Sequence, residues 1–155
     1  MKPRVVELDL RAIPSPAGSG ELLLVDEWSC RLVFVPAVFD TPDRHRTAVA
    51  TFKRCAQVLF GYPNDEAQPG HPLYADWSYG FHEVLGSDWP ARLEAQNRVA
   101  FPTQTSPWQQ RHFIVVCHES LVEALADDVS VEVFDRPFQD VALDALRQNL
   151  RDHRG

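Results

Sequence analysis

Alternating apolar residues that recur along the chain most constrain how it can fold. Residues 111–117, R-H-F-I-V-V-C, divide into two sets of side chains that point to opposite faces of a strand. Val5 to Leu10 alternates in the same way, and residues 21–28 and 29–39 are two further β-rich runs. Strands that follow one another in runs, without helices between them, are typical of antiparallel sheets. We therefore predict an α+β fold built mainly on an antiparallel β-sheet.

Two segments carry helical signals. Ser87 or Asp88 can cap a helix near 88–97, and Pro90 is tolerated in its first turn because no intrahelical donor is needed there. The C-terminal run D-V-A-L-D-A-L-R-Q-N-L has the spacing of an amphipathic helix. No internal repeat is visible, and 155 residues lie within the usual size of one domain. We predict a single domain over 1–155 with a short helix near 88–97 and a C-terminal helix.

Residues 47–60 fit two structures. Apolar residues spaced at three and four positions fit a helix. The same segment fits two strands, Val49 to Phe52 and Ala56 to Phe60, joined at Lys53 and Arg54 as a hairpin. We favour the hairpin.

Charge and hydropathy narrow the partners and the compartment. The formal net charge is −7, with 15 basic against 22 acidic residues, which disfavours nucleic acid because phosphate binding needs a basic face. No apolar run has the roughly 20 residues that a membrane span needs, and the N-terminus M-K-P-R-V-V-E-L-D-L lacks a signal peptide's apolar block. We expect a cytoplasmic protein with no nucleic-acid or membrane partner.

The cysteines indicate reduced thiols. Cys30, Cys55 and Cys117 are odd in number and widely spaced, unlike a disulfide framework or a zinc site. We interpret all three as buried thiols. His118 follows Cys117, but neighbouring residues on a strand point to opposite faces, so His118 is not expected to activate this thiol.

The segment 60–84 has the most unusual composition of the chain. It holds two of the six histidines, three prolines and six aromatic residues, and its first part, 61–78, is predicted to be a long loop. Loops longer than about 12 to 15 residues are uncommon and often functional. His71 is held between the Pro69-Gly70 turn and Pro72, and a rigid backbone suits a functional site.

The motifs in this region resemble a family of small bacterial proteins of unassigned function. The residues that carry the resemblance are G-Y-P-N-D-E, G-H-P-L-Y, G-F-H-E-V, S-D-W, R-H-F-I-V and H-E-S, between about Phe60 and Ala126. In that family the last motif reads His-Asp-Ser, whereas this chain has Glu119, which is longer by one methylene. The difference argues against a strict geometric role for Glu119, and the resemblance implies no mechanism.

We predict a pocket of histidines and carboxylates in which the loop brings His71 near His118 or His82, with Glu66 or Glu119 as the acid. Histidine titrates near neutral pH and can act as acid or base, while a carboxylate partner fixes its tautomer. The candidate catalytic residues are His71, His118 and Glu66. The candidate substrate-binding residues are Asn64, Asp65, Tyr74, His82 and Glu119. His112 is a further histidine of second rank.

Other chemistries have weaker support. There is no glycine-rich nucleotide motif, no His-x-x-x-His spacing and no Gly-x-Ser-x-Gly motif to make Ser120 a nucleophile. His112 and His118 lie six residues apart on one strand face, about 20 Å, which is too far to share one metal ion. We therefore predict no metal site, and the sequence identifies no cofactor.

The resulting hypothesis is a domain that binds a small molecule in this pocket, and the sequence leaves open whether it also acts on the molecule by general acid–base catalysis. The alternative is a non-catalytic module that binds a protein partner, for instance as a homodimer through an edge strand. It rests on aromatic residues of the types enriched at interfaces, of which Trp77 and Trp89 are also expected in the core. These residues are Tyr62, Tyr74, Trp77, Tyr79, Phe81, Trp28, Trp89 and Trp108. Burial separates the two hypotheses, because a pocket requires the histidines and carboxylates to converge.

Overall fold

A computed structural model describes residues 2–18, 20–38, 41–43, 45–104 and 109–152, so Trp108 and residues 153–155 lie outside the described residues. In chain order the elements are β1 (Arg4–Leu8), β2 (Leu22–Val25), β3 (Cys30–Phe34), β4 (Ala37–Val38), β5 (Thr41–Pro42), β6 (Thr47–Lys53), β7 (Gln57–Gly61), β8 (Gly80–Leu85), α1 (Trp89–Ala100), β9 (Arg111–Val116), β10 (Leu121–Ala126), β11 (Asp128–Phe134) and α2 (Phe138–Asp152). A short 3₁₀ turn, Gln68–Gly70, lies between β7 and β8.

The strands form two larger antiparallel sheets. One has five strands in the order β1-β8-β9-β10-β7, and the other has four in the order β11-β6-β3-β2. β4 and β5 form a separate pair. The predicted α+β fold with mainly antiparallel strands, one short helix and a C-terminal helix is confirmed.

The main core lies between the two sheets. Phe34 of β3 packs on Phe81 of β8 with ring centroids 6.0 Å apart, and Phe52 of β6 packs on Phe113 of β9 at 6.4 Å. Because side chains alternate along a strand, the inward position of Phe113 directs His112 to the opposite, outer face of the five-stranded sheet. This outer face carries the candidate site.

The second helix covers the outer face of the four-stranded sheet. Val141 and Ala145 of α2 pack on Val33 and Val49 in a separate apolar cluster. This is the amphipathic packing that the spacing of the C-terminal run predicts. No helix in the described part of the chain is long and apolar enough to cross a membrane.

The segment 47–60 forms two strands, but the predicted hairpin is wrong. β6 pairs with β11 and β3, whereas β7 pairs with β10 in the other sheet. Arg54 between them has a φ of 49°, and the chain passes there from one sheet to the other. Alternation therefore predicts each strand correctly, while the partner of each strand depends on tertiary packing.

The predicted start of the first helix is confirmed, but the predicted side-chain cap does not form. α1 begins at Trp89 after Asp88 in the capping position, and the Asp88 side chain makes no capping hydrogen bond, while Ser87 Oγ accepts the Trp89 backbone N–H at 3.2 Å. Residues 117–120 join β9 to β10, and the Cys117 N–H donates there to the Ser120 carbonyl at 3.1 Å.

Candidate functional site

The loop between β7 and β8 folds over the outer face of the five-stranded sheet. Val84, Ile114, Val116 and Leu121 form an apolar layer on that face. Loop residues pack on this layer, namely Leu73, Trp77 and Tyr79. The loop is therefore held against the sheet, and polar residues at the margins of the layer are enclosed with it.

A cleft of about 600 Å³ lies beside this apolar layer, between the loop, the edge of the sheet and the start of α1. Its size falls within the range of small-molecule sites, about 300 to 1,000 Å³. The polar side chains that line it include Gln57, His71, Ser87, His112 and Glu123.

Glu123 of β10 binds two histidines through its two carboxylate oxygens. Oε2 lies 3.1 Å from Nε2 of His71, and Oε1 lies 2.9 Å from Nε2 of His112. The Leu73 backbone N–H donates to Nδ1 of His71 at 3.0 Å, so neutral His71 carries its proton on Nε2 and donates it to Glu123. The sequence neighbours of His71 thus fix its tautomer.

His112 connects Glu123 to a serine. Its Nδ1 lies 2.8 Å from Oγ of Ser87. Since Nε2 is the atom that faces Glu123, neutral His112 donates there and accepts the Ser87 hydroxyl proton at Nδ1. We call the four residues Ser87, His112, Glu123 and His71 the Glu123 cluster.

Trp89 fixes the orientation of His112. Its ring lies edge-on to the imidazole, with centroids 4.9 Å apart at 86°. The indole N–H donates to Oε1 of Gln57 at 2.7 Å, which ties the start of α1 to β7. Trp89 is half-buried, lines the cleft and is not part of the main core between the sheets. The expected core position is therefore wrong for this residue.

Glu123 is held in its ionised form. Burial raises the pKa of its carboxyl group, but the hydrogen bonds and charges of His112 and His71 outweigh burial and leave the pKa below its usual value. An anion therefore lies between two imidazoles on the floor of the cleft. Within the ranges that the structure describes, no group of three or more His, Cys, Asp or Glu residues is arranged to hold a metal ion.

A second cluster lies around His118 at the far end of β9. Nδ1 of His118 is 2.8 Å from Oδ2 of Asp65, and Nε2 is 3.2 Å from Oε1 of Glu119. The Tyr79 hydroxyl donates to the same oxygen of Asp65. We call Asp65, Tyr79, His118 and Glu119 the His118 cluster. It borders a smaller cavity of about 290 Å³ that shares no lining residue with the cleft.

Hydrogen bonds, charges and burial in the His118 cluster shift the pKa values of Asp65, His118 and Tyr79. The hydrogen bond from Tyr79, and then that of His118, hold the pKa of Asp65 below its usual value despite some desolvation. The hydrogen bond to Asp65 raises the pKa of His118. Burial, followed by the hydrogen bond to Asp65, raises the pKa of Tyr79 to about 12. The cluster therefore behaves as an ion pair that fastens the loop to the end of β9.

The structure separates the three candidate catalytic residues. His71 lines the cleft, whereas His118 and the exposed Glu66 line the smaller cavity. The predicted approach of His71 to His118 or His82 is wrong, because the loop brings His71 to Glu123 on β10 instead. The acid of His118 is Asp65 together with Glu119, not Glu66.

The candidate substrate-binding residues are also separated: some hold the loop, some line the smaller cavity, and His82 is buried away from both cavities. Asn64 accepts the Ala67 N–H at Oδ1 at 3.2 Å and so holds a turn. Tyr74 lines the smaller cavity and lies edge-on to Trp77, which itself is half-buried over the apolar layer. His82 is buried, its pKa is lowered by desolvation, and it lines neither cavity.

Sequence reasoning missed Glu123 and Ser87 as site residues. Glu123 is the single charge in the apolar run L-V-E-A-L-A, and a lone carboxylate inside a strand of a central sheet is a signal that was available. The sequence presents Ser87 only as one of two candidate helix caps, and its contact with Nδ1 of His112 is a tertiary contact that local patterns do not predict.

The cysteines are placed largely as predicted. Cys30 and Cys117 are buried, but Cys55 is only half-buried, which corrects the expectation that all three thiols are buried. Burial raises the pKa of Cys117, which disfavours the thiolate that an activated cysteine needs.

Comparisons of the chain with protein-family models, with curated proteins and with solved structures find no match, so the resemblance to small bacterial proteins stays a prediction.

Proposed function

We propose that this protein binds a small molecule in the cleft and acts on it by general acid–base catalysis from the Glu123 cluster. The observation that carries the proposal is the contact of one ionised carboxylate with two histidines at 3.1 Å and 2.9 Å on a cleft floor. Histidine is the side chain whose charge changes nearest neutral pH, and a carboxylate partner fixes its tautomer.

The arrangement assigns a direction to proton transfer. Nδ1 of His112 accepts a proton from the group in front of it, while Nε2 donates to Glu123. The imidazolium that forms is stabilised by the anionic Glu123, as in other sites that combine histidine and carboxylate. His71 donates to the other oxygen of Glu123 and so acts as a positioning residue for that carboxylate.

The cleft also supports a preference for ligands with apolar parts. Seven apolar residues line its walls, namely Pro3, Val58, Leu59, Pro72, Leu73, Val84 and Trp89. Walls that are mainly apolar with a few convergent polar groups are typical of small-molecule sites. The cytoplasmic location and the absence of nucleic-acid and membrane partners stay predictions from the sequence.

A protein partner is the second candidate, and one observation favours it. β7 is an edge strand of the five-stranded sheet, and Leu59, Phe60 and the following Tyr62 expose 62%, 44% and 80% of their surfaces. Edge strands with exposed apolar residues can pair with a second chain. Analytical ultracentrifugation over a concentration series tests this second candidate, since a Phe60→Lys variant should abolish any self-association.

A fragment screen by thermal shift tests the first proposal. A ligand that binds only the folded state raises the melting temperature by mass action. We expect hits with wild type to lose at least about tenfold in affinity in Glu123→Gln, equivalent to about 1.4 kcal/mol. Glu132→Gln, an exposed strand glutamate in the other sheet, is the matched control and should bind as wild type does. Hits that bind both variants equally would contradict the proposal.

A further inference from the structure

We propose that Ser87 is a nucleophile and that the cleft cleaves small carboxylic esters with an apolar acyl group. The inference rests on the proposed function, because it uses the same cleft and the same acid–base pair. It adds a covalent step and a substrate class.

Three side chains form a chain of hydrogen bonds that ends at the serine. Ser87 Oγ lies 2.8 Å from Nδ1 of His112, and Nε2 of His112 lies 2.9 Å from Oε1 of Glu123. Serine, histidine and a carboxylate in this order constitute a catalytic triad, which is recognised by geometry and not by sequence position. In the chymotrypsin triad, Nε2 of the histidine faces the serine and Nδ1 faces the carboxylate. Here Nδ1 of His112 faces Ser87 and Nε2 faces Glu123, while the proton moves from serine to histidine in both.

The backbone around Ser87 has the form of a strand, a sharp turn and a helix. β8 ends at Leu85, Gly86 has a φ of 73°, and α1 begins at Trp89. Serine nucleophiles of many hydrolases lie at such strand-to-helix turns, which expose the hydroxyl. Ser87 is half-buried and lines the cleft, so a ligand there can reach its hydroxyl.

Two features can stabilise the oxyanion. The N-terminal end of α1 carries a partial positive charge beside Ser87. Gln57 accepts the Trp89 indole N–H at Oε1 and lines the cleft, so its amide NH₂ is a donor in the cleft wall. The ester carbonyl can therefore develop negative charge near these two features.

The reaction balances without a cofactor. The Ser87 oxygen forms a bond to the ester carbonyl carbon as its proton passes to Nδ1 of His112, and the carbonyl electron pair moves to oxygen. The tetrahedral intermediate then expels the alcohol, which takes the proton from His112. Water attacks the acyl-serine with His112 as base, and the carboxylic acid leaves as Ser87 regains its proton.

The matched control is a second serine beside a histidine. Ser78 Oγ lies 3.4 Å from Nε2 of His82, which is buried, and this pair lacks the short contact and the carboxylate on the other nitrogen that Ser87 and His112 have. A serine activated by the Glu123 cluster must therefore react much faster than Ser78.

The test is labelling of the full chain with a fluorophosphonate, followed by peptide mass mapping. The Ser87 oxygen would displace fluoride from phosphorus with His112 taking the proton, so one adduct on Ser87 is expected in wild type. Labelling should persist in Ser78→Ala and fall by about 100-fold or more in Glu123→Gln, because the amide no longer stabilises the His112 imidazolium that forms as Ser87 loses its proton. Mapping in wild type does not depend on whether Ser87→Ala folds.

The outcomes separate the two proposals. An adduct confined to Ser87 that depends on Glu123 supports the nucleophile. An adduct elsewhere, no adduct, or labelling indifferent to Glu123→Gln overturns it. If fragments still bind the cleft while Ser87 stays unlabelled, only the nucleophile falls, and if fragments fail to bind as well, the proposed function falls with it.

Discussion

Oε1 of Glu123 lies 2.9 Å from Nε2 of His112, an imidazole only 5% exposed, and this contact turns Nδ1 of the ring toward Ser87. A buried imidazole with both nitrogens engaged has one defined tautomer. The other oxygen of the same carboxylate accepts a hydrogen bond from His71 of the loop. Glu123 therefore orients two histidines, His71 in the loop and His112 in β9.

Glu123→Gln should destabilise the protein. The amide offers one acceptor oxygen to two imidazole N–H donors, and its NH₂ then faces a donor, so a partly buried hydrogen bond is lost. We expect the free energy of unfolding to fall by about 1 to 3 kcal/mol in urea titrations. Glu132→Gln should change it by less than about 0.5 kcal/mol, and equal effects in the two variants would show that the Glu123 contacts contribute nothing.

The ion pair of His118 and Asp65 should make stability depend on pH at both ends of a window. Asp65 has a lowered pKa in the folded state, so its contribution is present above the usual 3.8 and is lost as pH falls through the folded value. His118 has a raised pKa, so its contribution is complete below the usual 6.5 and is lost as pH rises through the folded value. The pair therefore stabilises most between these two pH values.

The variant Asp65→Asn, which removes the ion pair, tests this pH window. In Asp65→Asn, the free energy of unfolding should decrease relative to wild type mainly inside the window, by less than about 1 kcal/mol because His118 is partly exposed and screened. Urea titrations across pH compare the two proteins. A difference that stayed constant at every pH would refute the linkage to His118.

Tyr79 should ionise near pH 12. Burial and its hydrogen bond to Asp65 raise its pKa to about 12 from the usual 10. Ultraviolet titration of tyrosinate absorbance in wild type and Tyr79→Phe isolates its step as the difference between the curves. Asp65→Asn should move that step to lower pH, and a step already complete near pH 10 would contradict the contact.

The thiols should react in a defined order. Burial raises the pKa of Cys117, whereas the hydrogen bond with Cys30 lowers the pKa of the half-buried Cys55. Alkylation of the native protein followed by peptide mapping should modify Cys55 first and spare Cys117 until denaturant is added. Modification of Cys117 at the rate of Cys55 would contradict its burial.

Local patterns predicted the elements better than their partners. The alternation of 111–117 predicts β9 and puts His112 on the face opposite Phe113, and the candidate caps Ser87 and Asp88 predict the start of α1. Strand pairing is not local, which is why residues 47–60 gave two correct strands and a wrong hairpin.

The candidate site shows the same division. The composition of 60–84 and the rigid backbone around His71 indicate His71 as a candidate site residue, and the structure places His71 in the cleft. Its partner Glu123 is 52 residues away on a strand that nothing in the loop specifies. His118 and Glu66, grouped with His71 by residue type alone, lie on the smaller cavity because β9 carries His118 past the apolar layer.

The most direct test of the cleft is the nitrogen spectrum of the histidine rings in isotope-labelled protein, recorded as a fragment that binds is added. We predict that the neutral rings of His71 and His112 carry their proton on Nε2 and not on Nδ1, and that the signals of both rings respond saturably to the fragment while those of His118 do not. Fragments that moved His118 alone, or left all ring signals unchanged, would contradict a small-molecule site built on Glu123.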